Sequence, residues 1–217
     1  MLKVIFLLMV FLSLLFLYYG TGKNKRLILL LTVWQVLIGA LAFYQIFIEN
    51  PKLFPIVIFG TVLLTIFGLN RIDASKLKPN FLLGIHILRI SVELVLYQLY
   101  LQEKIPQLMT FYGWNFDIVL GISALIILVY QLILKRKINR TLFIIWNSIG
   151  IVFLLVIVSL AILSSPSLIQ QFAFDQPNIA VLEFPYCFLP TCVVPIVLMS
   201  NILLIEKSTT ANNVNEQ

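Results

Sequence analysis

The chain has 217 residues, of which 61% are hydrophobic and only 11% charged, and its mean hydropathy is +1.04. A water-soluble domain carries about a quarter charged residues because its surface must face solvent. This composition therefore excludes a soluble globule and predicts an all-α, polytopic membrane protein whose main partner is the lipid bilayer. The net charge of +6 is not the footprint of a nucleic-acid partner, because the cations sort by loop and no motif for such a partner accompanies them.

Seven apolar runs follow one another along the sequence, with no alternation of the kind an outer-membrane barrel needs. The first, 4–19, follows Lys3 and ends in the pair Tyr18–Tyr19. A signal peptide begins in the same way, but no A-x-A-like cleavage site follows and paired tyrosines suit a membrane interface, so we read it as a retained span. The second and third runs cover 27–48 and 54–69. About 20 residues cross the hydrocarbon core, so the first and third are short but workable.

The fourth run, 81–101, is unusual because it holds the chain's single histidine, His86, together with Arg89 and Glu93. At 100° per residue His86 and Glu93 lie about 20° apart, with Arg89 about 60° to one side, and Tyr97 and Tyr100 continue the stripe. All the polarity of this helix points one way, into a bundle. Arg89 and Glu93 lie near mid-span, where each unpaired charge would cost about 2.5–3.5 kcal/mol. Their i, i+4 spacing predicts that they neutralise each other. Ionisable residues at such a depth mark a ligand- or proton-binding site by default, and the competing reading is polar glue that fixes which helices meet.

The remaining runs cover 116–134, 141–163 and 179–205, and the polar tail 206–217 is expected to be disordered. Asp117 and Glu183 stand near the outer ends of the fifth and seventh runs, beside Asn115 and Asn178, and with Asp175 they predict a polar funnel leading to Arg89. Gln35 and Asn147 could reach the same interior. In the seventh run, Pro185, Pro190 and Pro195 should kink or unwind the helix, since each removes a backbone donor.

Orientation follows from the loops. Eleven cations fall in one alternating set (Lys23, Lys25, Arg26, Arg71, Lys76, Lys78, Lys135, Arg136, Lys137, Arg140, Lys207), and only Lys3, Lys52 and Lys104 in the other. Basic loops stay in the cytoplasm, so the N-terminus is expected outside and the C-terminus inside. Cys187 and Cys192, five apart on one helix, point about 140° away from each other and cannot pair.

Absences narrow the chemistry. A single histidine rules out bis-histidine haem and argues against a histidine-rich zinc site, and no nucleotide, hydrolase or metalloprotease motif is present. No cofactor, metal or catalytic residue is predicted. The stretches HILRISVELVLYQLYLQ, PQLMTFYGWNFDIVLG, IQQFAFDQPNIAVLEFP and LPTCVVPIVLMS resemble a family of bacterial integral membrane proteins known only as uncharacterised. The resemblance spans roughly 81–205; it implies a bacterial inner-membrane location and transfers no residue roles. The leading expectation is a protein that binds or moves a small solute or ions at His86, Arg89 and Glu93, with a fixed cation suited to an anionic ligand. Its rivals are a non-catalytic sensor or assembly subunit acting through a membrane protein partner, and a membrane-embedded lipid-modifying enzyme.

Overall fold

The computed structural model describes residues 1–136, 138–167 and 169–213. Lys137 from the basic loop set, position 168 of the last long loop and the end of the tail lie outside the described residues. The protein is 75% helical, with eight helices and no strand among the described residues. They are α1 (Leu2–Gly20), α2 (Lys25–Phe43), α3 (Ile46–Glu49), α4 (Phe54–Leu69), α5 (Pro79–Leu101), α6 (Asp117–Ile133), α7 (Arg140–Leu163) and α8 (Val194–Asn213). Six helical segments are long and apolar enough to cross a membrane, and the 17-residue α6 is a shorter apolar helix.

Local chemistry sets the helix ends. Asn24 caps α2 by accepting from the Leu27 amide at 3.2 Å, and Asn139 caps α7 by accepting from the Thr141 and Leu142 amides at 2.9 and 3.3 Å. Pro79 opens α5, where its missing N–H costs no helical bond. The run expected to continue to residue 48 breaks after Phe43: Gln45 adopts φ +61°, and the short α3 starts there in a new direction.

Two elements form the centre. In their most apolar stretches, 61% of α5 and of the last helix is buried, against 22–33% for the other four long helices. α5 packs against α6, α1 and α8. The α5–α6 contact is close because Gly121 has no side chain; a Cβ there would meet Ile90 Cγ1 at 2.6 Å and the Ile90 amide nitrogen at 3.0 Å. The outward faces carry exposed apolar residues such as Leu29, Val36, Phe59, Ile126, Ile133 and Val152. A surface of this kind has no solvent partner in water.

The last helix starts later than its apolar composition predicts. Residues 180–182 form one 3-10 turn, a turn follows, and Leu189–Val193 is π-helical before α8 begins at Val194. The prolines account for this. Pro195 cannot donate to Thr191 O, and that carbonyl instead accepts from Gln35 Nε2 at 2.8 Å. The Thr191 hydroxyl lies 3.0 Å from Gln35 Oε1 and 2.9 Å from Cys187 O, so its one proton serves either acceptor. Gln35, one of the candidates for the polar interior, is thus committed to repairing the broken helix. At the other end α8 continues past the expected boundary at residue 205 to Asn213. Cys187 and Cys192 are both free and buried.

Candidate functional site

A buried polar layer crosses the bundle where α5, α6, α7 and α8 meet. His86, Arg89 and Glu93 come from α5 and are all buried, as the single-sided stripe predicts. Asp117 enters from the first turn of α6, Asn147 from α7 and Asn201 from α8, and these are buried as well.

The charges pair differently from the sequence expectation. Arg89 Nη2 lies 3.2 Å from Asp117 Oδ1, an ion pair between neighbouring helices, and the same nitrogen donates to Gly150 O at 3.4 Å. Glu93 does not take the guanidinium. Its Oε1 accepts from Asn115 Nδ2 at 2.6 Å, and that amide also donates to Met109 O at 3.1 Å while Asn115 Oδ1 accepts from the Asp117 N–H at 3.1 Å. Asn115 therefore holds Glu93 toward the loop and positions Asp117 at the start of α6. An anion is favoured there by the helix dipole.

Several polar atoms of the layer have no hydrogen-bond partner in the protein: both His86 nitrogens, Arg89 Nε and Nη1, Glu93 Oε2, Asn147 Oδ1 and Asn201 Oδ1. Buried polar atoms are normally paired, so a group of orphans in one layer calls for an explanation. His86 packs edge-on against the Trp146 ring, with centroids 5.3 Å apart, and the Trp146 indole N–H donates to Ser123 Oγ at 2.9 Å. Asn201 presses against the backbone of α7, where a Cβ on Gly150 would sit 2.8 Å from its Oδ1.

Four of the five predicted site residues, His86, Arg89, Glu93 and Asp117, thus belong to one layer. Glu183 does not join them; its carboxylate forms an ion pair with Lys104 Nζ. Of the residues expected to line a funnel, Asn115 and Asp117 reach Glu93 and Arg89. Asn178 donates to Ala161 O at 3.2 Å and to Ser165 Oγ at 3.4 Å, tying down the last long loop, and Asp175 is exposed. Tyr97 belongs to an aromatic cluster with Tyr100, Phe111 and Tyr112. Two cavities of the described part of the chain lie away from this layer. One is an apolar void of about 10 Å³ between α1 and α5, and the other a cleft of about 720 Å³ at the α1–α2 turn; neither is lined by His86, Arg89, Glu93 or Asp117. Sequence reasoning missed Trp146, Gly150 and Asn201. Asn201, a lone amide in the middle of an apolar run, was the one with a readable signal.

One surplus defines the electrostatics of the layer: two carboxylates, Glu93 and Asp117, face a single guanidinium. Among the described residues no group of three or more histidine, cysteine or acidic side chains is arranged to hold a metal ion. No curated protein and no solved structure matches the chain. A family profile does match, over residues 52–207, which includes every member of the polar layer. The chain belongs to that family, described as a domain of unknown function (DUF8737).

Proposed function

We propose that the chain is an integral membrane protein of seven crossings whose polar layer binds or moves a small ion, with Glu93 as its proton carrier. The single observation that carries this reading is the charge count. Arg89 is neutralised by Asp117 at 3.2 Å, and Glu93 remains as a second carboxylate with only an amide for a partner. A buried carboxylate without a countercharge is costly, and a bound proton or cation relieves that cost. A proton needs no cavity, which suits a layer that lines neither the void beside α5 nor the cleft at the α1–α2 turn. An anionic solute would have to displace Asp117 from the guanidinium, so the surplus favours a proton over the anionic ligand that Arg89 alone suggests.

Membrane placement is supported by the six long apolar helices and the exposed apolar faces. α6 supplies the seventh crossing: 17 residues rise about 26 Å, enough for a slightly thinned core. The uneven split of loop cations supports an outside N-terminus and a cytoplasmic C-terminus. We extend the proposal to the bacterial inner membrane, as the sequence resemblance over residues 81–205 implies. The rival reading, a non-catalytic sensor or assembly subunit, draws on the Arg89–Asp117 pair as a tie between α5 and α6.

Reconstitution separates the two. Liposomes carrying the protein and an internal pH dye, driven by a potassium diffusion potential, should acidify faster than empty liposomes. Glu93→Gln retains the acceptor for Asn115, so it should insert and melt like the parent protein yet lose the flux. Equal flux through the parent and Glu93→Gln would remove Glu93 from the function.

A further inference from the structure

The cleft at the α1–α2 turn has no role in the polar layer, and its lining is distinctive. Lys23, Lys25 and Arg26 come from the turn and the start of α2, while Arg71 comes from the turn that follows α4. These positions are some 45 residues apart in sequence, yet they face one space of about 720 Å³. The walls also carry apolar residues, with Leu30 one turn further into α2 and Phe67 half-exposed on α4, and the Arg71 guanidinium stacks on the Phe67 ring, 4.7 Å from its centroid.

The turn is built to hold this shape. Gly22 and Lys23 both adopt left-handed backbone, at φ +68° and +67°. A Cβ on Gly22 would lie 2.7 Å from Lys76 Cβ, so only glycine allows the turn to close on the segment before α5. Lys78 N–H donates to Gly20 O at 2.8 Å across the same contact. Asn24 Nδ2 reaches Arg71 O at 3.4 Å and ties the turn to the one that follows α4.

The local anion is already committed. Asp73 Oδ1 accepts from the Ser75 hydroxyl at 2.6 Å and the Ser75 amide at 2.9 Å, and Oδ2 pairs with Lys76 at 3.2 Å. Those hydrogen bonds, the hydroxyl's foremost, hold its carboxyl below the ordinary range. Asp73 and Lys76 cancel, and Lys23, Lys25, Arg26 and Arg71 are left facing the cleft without an acidic partner among its lining residues.

We infer that this cleft is a binding site for the phosphate headgroup of an anionic phospholipid, with its acyl chain lying along Leu30 and with Arg71 held at the headgroup by its stacking on Phe67. Four cations beside an apolar wall match a headgroup and its tail; a free phosphate would use the cations and gain nothing from the wall. Loop charge bias alone does not gather cations from separate segments around one cavity: Lys135, Arg136 and Arg140 carry the same bias and line no part of it. This lipid site depends on membrane placement and not on the polar layer, and alkaline extraction of native membranes tests that placement separately.

The test is native mass spectrometry of the full chain in neutral detergent, titrated with short-chain phosphatidylglycerol, with phosphatidylcholine, or with inorganic phosphate. Phosphatidylglycerol should bind saturably at one copy per chain, and phosphatidylcholine far more weakly. Each cation near a phosphate contributes roughly fivefold in affinity, so Lys23→Gln with Arg26→Gln should weaken phosphatidylglycerol roughly thirtyfold. The control pair Lys135→Gln with Arg136→Gln removes the same charge from another loop and should change affinity by less than about twofold. Arg71→Gln, a single exposed substitution, should cost roughly fivefold and serves if the cleft pair fails to fold. Equal binding of the two lipids, or equal losses in the cleft and control pairs, would overturn the site. Inorganic phosphate that binds as tightly as phosphatidylglycerol would overturn the lipid assignment.

Discussion

Removing Arg89 together with one carboxylate should have opposite outcomes depending on which carboxylate is chosen. Arg89 and Asp117 sit 3.2 Å apart, and at an effective dielectric constant of about 20 their attraction is about 5 kcal/mol. Deleting the guanidinium alone leaves Asp117 buried without its ion partner, at a cost of about 3–5 kcal/mol. Arg89→Met with Asp117→Leu removes a neutral unit and leaves Glu93 on its Asn115 bond, so this double variant should stay close to the parent. Arg89→Met with Glu93→Leu removes the wrong anion and should stay as unstable as Arg89→Met alone. The assay is thermal unfolding in detergent for the parent, the single variant and both doubles. For a chain of this size the cost corresponds to a fall in Tm of about 6–20 °C. A stable Arg89→Met/Glu93→Leu protein beside an unstable Arg89→Met/Asp117→Leu protein would show that the guanidinium belongs to Glu93, and would refute the charge count.

Gln35→Leu should lower stability by about 1–3 kcal/mol, because Thr191 O loses its one side-chain donor in an apolar setting; denaturant melts in mixed micelles measure this. Gly121→Ala should cost about 1–3 kcal/mol by pushing Ile90 and α5 away from α6, and proton flux into liposomes should fall with it. Asp73→Asn should tighten phosphatidylglycerol binding roughly fivefold by freeing Lys76, read by the same mass-spectrometric titration. After both native cysteines are replaced, a cysteine at 52 should react with an impermeant reagent in intact cells and one at 25 should not.

The sequence and the structure agree where a single helix carries the information. The stripe His86–Arg89–Glu93 was legible because helical periodicity alone places these residues on one face, and a polar face in an apolar helix must turn inward. The partner of Arg89 was not legible. Spacing rules see neighbours on the same helix, whereas Asp117 arrives from α6 and Asn115 draws Glu93 away through a contact 22 residues distant. The break after Phe43 was hidden because the residues on both sides are apolar, and only the left-handed Gln45 marks it. The late start of α8 was half legible: the three prolines announce a disruption, but composition cannot say that Gln35, 156 residues earlier, would repair it. Glu183 was misplaced for the same reason as Arg89's partner, since Lys104 lies in a different loop.

The most direct test of the central claim is infrared spectroscopy of the protein reconstituted in lipid, compared with Glu93→Gln across a pH titration. The parent protein should show a carbonyl band from a protonated carboxyl that changes with pH, and the variant should lack it. Identical spectra for the two proteins, unchanged across the titration, would contradict a proton held at Glu93 and leave the polar layer as a structural tie between helices.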